Sequence, residues 1–157
     1  MSLHTVDRMA YEIQGEGDAV LMIHGLGGSS NVWTPLMAAF SRNTVLRLDL
    51  PGSARSSRVE GPLSIAKYVD ACVRVMGVAG IERAHVIGHS MGTIVATHLA
   101  VSEPSMVKSL ALFGPLLAPP DPARSALRTR GAKARDEGLQ GMHTIAETLA
   151  EIGRAHV

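Results

Sequence analysis

The 157-residue sequence contains a single cysteine, Cys72, which excludes an intramolecular disulfide and a thiol-rich metal site. Charge of one sign is lacking too: the formal net charge of +1 supplies no electrostatic reason to expect nucleic acid or an anionic membrane as partner. No apolar run approaches the roughly 20 residues needed to span a bilayer. The opening stretch MSLHTVDRMAYEIQGEG has no apolar h-region, so no secretory signal is expected and a cytoplasmic location is the default. No internal repeat or long low-complexity tract is present. Neither a G-K-[ST] loop nor G-x-G-x-x-G occurs, which disfavours nucleotide binding. No cofactor and no metal are expected. What remains is a globular composition, 46% hydrophobic and 18% charged, of a length that suits one domain with a sizeable core.

Four short apolar runs stand out: AVLMIH (19–24), TVLRLDLPG (44–52), RAHVIG (83–88) and VKSLALFG (107–114). Continuous apolar runs of this length suit strands buried on both faces, as in a parallel sheet. Helical patterns lie between them. Thr34 is placed to cap a helix with Pro35 at its first position. Ser64 opens a second helix whose apolar face reads Ile65, Val69, Val73 and Met76, with Cys72 beside it. Met91, Ile94, Val95 and Leu99 mark a third, stopped before Pro104. Residues 3–17 read as an antiparallel hairpin feeding the sheet. The alternation predicts an α/β fold with a mostly parallel, doubly wound sheet over residues 1–115. After Gly114 the character changes to a proline-rich and then basic helical stretch, with Asp121 as a cap before Pro122 and a second helix over 142–151. Residues 116–151 are therefore expected to leave the sheet as the start of a helical cap or lid.

Gly88-His89-Ser90-Met91-Gly92 fits G-x-S-x-G, the pattern of a nucleophilic serine on a tight strand-to-helix turn. Flanking glycines keep side chains away from the serine. The setting matches, since a buried-type strand precedes the motif and an apolar helix follows it. A second loop, IHGLGGSSNVW (23–33), follows the strand that ends at His24-Gly25. A glycine loop of this kind can aim a backbone N–H at a developing oxyanion. The natural pair of donors is Met91, directly after Ser90, and Leu26. A serine hydroxyl also needs an adjacent base. His98 is carried away from Ser90 by its own helix, His143 belongs to the cap stretch, and His89 points off the turn. His156 is the last histidine downstream, and His4 and His85 have no motif around them. No credible base is found.

The pieces HGLGG with Trp33 downstream, DLPGSARSS (49–57) and GHSMG resemble, in order and spacing, the first half of an α/β-hydrolase. The stretch RGAKARDEGLQGMHTIAETLAE is similar, less specifically, to the first cap helices of 3-oxoadipate enol-lactonase-like members. The resemblance implies Ser90 as nucleophile and the Leu26 and Met91 N–H groups as oxyanion hole. It implies support from His24, Gly25, Gly88, His89 and Gly92, and a structural Asp49 that shapes the pocket rather than serving as the triad acid. It implies hydrolysis of carboxylic ester or lactone bonds in a small-molecule substrate, with the acid and histidine on later loops. C–C bond hydrolysis, cofactor-free haloperoxidase chemistry and acyl transfer by the same fold stay open. A non-catalytic binding protein with a hydrolase-like half-fold stays open as well, and so does a homo-oligomer.

Two further features bear on these expectations. Arg124, Arg128, Arg130, Lys133 and Arg135 read as a solvated helix face, with an anionic substrate as the sharper alternative. The last six residues, IGRAHV, back-translate as ATC GGA AGA GCA CAC GTC, the opening of a short-read sequencing adapter. Residues 152–157 are accordingly expected to be non-native and the chain a fragment, inactive by itself. The competing reading is a natural terminus, since RAHV also occurs at 83–86.

Overall fold

Two residues reverse the chain at its start. Asp7 and Arg8 both take positive φ, 47° and 65°, the geometry that matches the twist of paired strands in a two-residue hairpin. They join β1 (Ser2–Val6) to β2 (Met9–Gln14), with Val6 opposite Met9. The structure, a computed structural model, describes residues 2–115 and 121–154. Four further strands follow: β3 (Ala19–Ile23), β4 (Thr44–Leu48), β5 (Ala84–His89) and β6 (Val107–Phe113). They form one six-stranded sheet in the order β1-β2-β4-β3-β5-β6. The hairpin joins antiparallel through β2 and β4, whereas β4, β3, β5 and β6 run parallel. This is the expected α/β arrangement.

Layers on both faces explain the unbroken apolar runs of β3, β4 and β5; β6, expected to be buried in the same way, is instead exposed from Lys108 to Phe113 because it is the outermost strand of the sheet. Strand residues alternate between faces, so Leu21 and Ile23 of β3 pack into the larger core beneath α1 (Ile65–Val78) and α2 (Met91–Ser102). Val20 and Met22 point the other way, into a smaller core with Val45, Ile87 and Trp33. From Val20 to Ile23 neither face of β3 meets water.

The helices correct three details of the sequence reading. The segment after the glycine loop is a run of 3-10 turns over Ser30–Phe40, capped by Ser29. Thr34 does not cap it, because its hydroxyl is taken as acceptor by Arg47 Nη1 at 3.0 Å. In α1, Ser64 does cap, accepting from the Lys67 N–H at 3.2 Å. The buried stripe is rotated relative to expectation: Cys72, Val75 and Met76 are fully buried, while Ile65 and Val73 are only partly covered. Finally, helix α3 (Asp121–Arg154) is continuous except at Gly138, whose φ of 57° and ψ of −130° break it in two. The break falls earlier than the expected second helix at 142.

The chain divides into two units, Met1–Leu117 and Ala118–Val157. In the second, α3 carries the expected basic residues; Lys133 pairs with Glu137 at 2.9 Å. Prolines 119 and 120 and residues 155–157, with His156, lie outside the described residues, so the expected non-native tail is described only as far as the helix backbone to Arg154. No helix among the described residues is long and apolar enough to cross a membrane.

Candidate active site

Ser90 stands where β5 turns into α2, with φ 53° and ψ −119°. A non-glycine residue there carries strain on the order of 1–3 kcal/mol and persists only where the surroundings enforce it. Here they do. The Ser90 N–H donates to the Phe113 carbonyl at 2.9 Å, tying the turn to β6. The Ser90 carbonyl accepts from the Thr93 N–H at 2.9 Å and from Thr93 Oγ1 at 2.6 Å, which opens α2.

The glycines around Ser90 are required by contact. A Cβ on Gly88 would lie 2.5 Å from the Gly92 carbonyl oxygen, and one on Gly92 would strike the carbonyl oxygen of Ile23. At Gly25 it would sit 3.0 Å from Ser90 Cβ and 3.2 Å from His89 Nδ1. The ends of β3 and β5 and the start of α2 thus converge without intervening side chains. His89 is exposed and lies beside Gly25; Ser90 and Met91 are half-buried.

The β3 loop and the α2 terminus both offer free donors. The Gly28 N–H closes a turn onto the Gly25 carbonyl at 3.1 Å. Within that turn the Leu26 N–H makes no hydrogen bond, and neither does the Met91 N–H at the first position of α2, among the described residues. The helix terminus adds a partial positive charge.

His24 is a latch. It is fully buried, its Nδ1 donates to the Gly25 carbonyl at 2.8 Å, and its Nε2 accepts from the Leu50 N–H at 2.9 Å. That network assigns the neutral tautomer with the proton on Nδ1. Burial pushes its pKa down, against the opposing pull of the Gly25 carbonyl and Asp49. With both nitrogens engaged it has no free lone pair for Ser90.

Asp49 is buried and wholly engaged. Oδ1 accepts from the Ser30 N–H at 2.7 Å, and Oδ2 accepts from Arg55 Nε at 2.7 Å and from the Arg55 N–H at 3.2 Å. Burial alone would raise its pKa; the hydrogen bonds from Arg55 and Ser30 outweigh that and hold it below the ordinary carboxylate range. Around it lies a cluster that the sequence reading missed. Arg55 Nη1 reaches Glu12 at 2.7 Å, and Arg47 Nε reaches the other Glu12 oxygen at 2.6 Å. The available signal was a charge inside each of two apolar strands, Glu12 in β2 and Arg47 in β4. Ionic side chains are rarely buried unless paired.

Ser90 Oγ has no hydrogen-bond partner among the described residues. Within the first unit His98 is exposed, His4 stacks on Tyr11 with ring centroids 5.2 Å apart, and His85 Nδ1 bonds Ser109 Oγ at 2.8 Å. His143, in the second unit, is exposed.

A strained serine between close-packed glycines at a strand-to-helix turn, beside unpaired backbone N–H groups, is the layout of a hydrolase nucleophile. The alpha/beta hydrolase fold family model matches residues 18–137, and the chain belongs to that family. It is 40% identical over 103 residues to a putative carbamate hydrolase RutD of Azorhizobium caulinodans, covering 65% of this chain and 39% of that protein. It is 30% identical over 139 residues to the (E)-2-((N-methylformamido)methylene)succinate hydrolase of Acinetobacter baylyi, covering 88% and 51%. Among solved structures, a hydrolase from Pseudomonas aeruginosa superposes with a TM-score of 0.78 over 95% of this chain and 57% of that one, at 24% identity, a likeness of fold. The chain thus spans 39% and 51% of the length of these two curated relatives.

Proposed function

We propose that the chain carries the nucleophile half of a serine hydrolase acting on carboxylic ester or lactone bonds, of the enol-lactonase-like kind. The observation that carries this is the strained backbone of Ser90 beside the unpaired Leu26 and Met91 N–H groups. In the proposed reaction Ser90 Oγ attacks the substrate carbonyl carbon and gives its proton to a base. The carbonyl oxygen takes the negative charge and is held by the two N–H groups. Collapse of that intermediate expels the alcohol, and water then releases the acid. The base and the acid that orients it follow the serine in chain order in this class of site, and no described residue bonds Ser90 Oγ. In this reading they belong to the part of the relatives' length that this chain does not span, and residues 116–151 are the start of a cap. A cytoplasmic protein with a small-molecule substrate and no cofactor fits this reading.

The test uses a longer polypeptide that contains this segment, with a panel of p-nitrophenyl esters, lactones and carbamates. Ser90→Ala is expected to lower turnover by roughly 10³-fold or more while leaving the fold intact. Unchanged turnover would overturn the assignment. In the 157-residue chain by itself, p-nitrophenyl acetate hydrolysis is expected to be low and nearly the same with and without Ser90. A large serine-dependent rate would show that a base is present in this segment.

A further inference from the structure

The turn from Gly25 to Ser29 is ordered from its ends. Three of its five residues are glycine; Gly27 has φ 71° and open space where a Cβ would be, and Leu26 is 67% exposed. Glycine loses more backbone freedom on ordering than any other residue, and here little side-chain packing offsets that cost. At the near end His24 latches the turn to Gly25 and to the β4 loop through Leu50. At the far end Ser30 is fully buried and gripped at every polar group. Its N–H donates to Asp49 at 2.7 Å, its carbonyl accepts from Arg47 Nη1 at 3.3 Å, and its hydroxyl accepts from Arg55 Nη2 at 2.7 Å.

Arg55 is the hub of that grip. One guanidinium reaches Asp49 through Nε, Glu12 through Nη1 and Ser30 through Nη2, all at 2.7 Å. A planar fork spreads its donors over three nitrogens and so spans these three acceptors; an ammonium has three donors but presents them from one nitrogen and does not match that geometry. Two cations, Arg47 and Arg55, face two anions, Glu12 and Asp49, so the cluster is compensated internally. It has no charge left over to explain as ligand binding, but it has one mechanical output, the position of Ser30.

We infer that Arg55 is a positioning residue: through Ser30 and Asp49 it holds the glycine turn so that the Leu26 N–H stands beside Ser90. This deepens the proposed oxyanion role of the turn and rests on it for its catalytic meaning. The ordering of the turn by Arg55 is physically separate from hydrolysis and is measured separately.

The experiment is amide hydrogen exchange on the 157-residue chain in dilute solution, comparing the hydrogen-bonded amides at positions 28 and 30 with those of β3, β4 and β5. Arg55→Met is expected to speed exchange at 28 and 30 by roughly tenfold or more, with strand amides changed by less than about twofold. Arg55→Lys is expected to fall between, because charge without the fork restores only part of the grip. Ser30→Ala removes one hydroxyl acceptor and is expected to shift the same amides in the same direction. If Arg55→Met also strips protection from the strands, Ser30→Ala decides. Unchanged exchange at positions 28 and 30 in Ser30→Ala overturns the inference, as does unchanged exchange there in an Arg55→Met chain whose strands stay protected. Ester turnover insensitive to Ser90→Ala would instead remove the hydrolase reading and leave the exchange result standing, so the two failures are distinguishable.

Discussion

Two residues at the heart of the site are held in forms they would not choose alone. Ser90 occupies a positive-φ conformation because Phe113 and Thr93 pin its backbone from both sides. His24 is held neutral by burial. The linked pH dependence follows from that depression. In the unfolded chain a histidine takes up its proton as pH falls through about 6.5, whereas the folded state resists until a lower pH. The contribution of His24 to stability is therefore complete above about pH 6.5 and is lost as pH falls toward its depressed folded pKa. Chemical denaturation between pH 7 and 5 is expected to show this loss, and His24→Gln, which keeps an acceptor for the Leu50 N–H, is expected to flatten that slope. Gly92 gives a sharper steric prediction. Its Cβ would collide with the Ile23 backbone, which cannot rotate aside as a side chain would. Gly92→Ala is expected to cost about 3 kcal/mol or more, at the upper end for overpacking, read as a lower denaturation midpoint.

Among the elements, β4 is the one whose composition conflicts with its place. It lies between β2 and β3, yet it carries Arg47, which is 2% exposed. The conflict is resolved across the sheet: Glu12 stands opposite Arg47 in the β2–β4 register and meets it at 2.6 Å. Glu12→Leu removes the carboxylate facing buried Arg47, a change of the kind that costs about 3–5 kcal/mol, and is expected to fall in that range by urea denaturation. Arg47→Met is expected to cost less, because Glu12 keeps Arg55 at 2.7 Å. The double substitution Glu12→Leu with Arg47→Met is expected to cost less than the sum of the two singles, since no lone charge remains. A strictly additive result would contradict the pairing.

For the whole molecule, the outer strand β6 is the weak point. Leu110, Leu112 and Phe113 are 38%, 37% and 51% exposed, and the strand's one charge, Lys108, is engaged with Asp18 at 2.7 Å. No strand pairs with its outer edge among the described residues. An apolar edge with free backbone groups templates association. The 157-residue chain is expected to self-associate with rising concentration on size-exclusion chromatography. Leu112→Lys, which places a charge on that edge, is expected to shift it toward monomer. A wild-type chain that stays monomeric at high concentration would show that the edge is covered in solution.

Local chemistry determined much of this protein. Four apolar runs became four strands; for β3, β4 and β5 the reason is cover on both faces, which needs no polar alternation, whereas β6 keeps its apolar run exposed. Ser64 and the stop before Pro104 set helix ends, because capping and the loss of an N–H act within a few residues. The G-x-S-x-G turn was legible from its pattern, although only Gly88 answers a near neighbour, Gly92; Gly92 itself answers the backbone of Ile23 and His24 at the end of β3. Tertiary structure decided what depends on partners far apart in the chain. Ser29 rather than Thr34 caps the 3-10 segment because Arg47, from another strand, claims the Thr34 hydroxyl. The grip of Arg55 on Glu12, Asp49 and Ser30 joins residues separated by as many as 43 positions. No spacing along the chain encodes it; only the folded sheet, by taking those charges out of water, makes their pairing necessary.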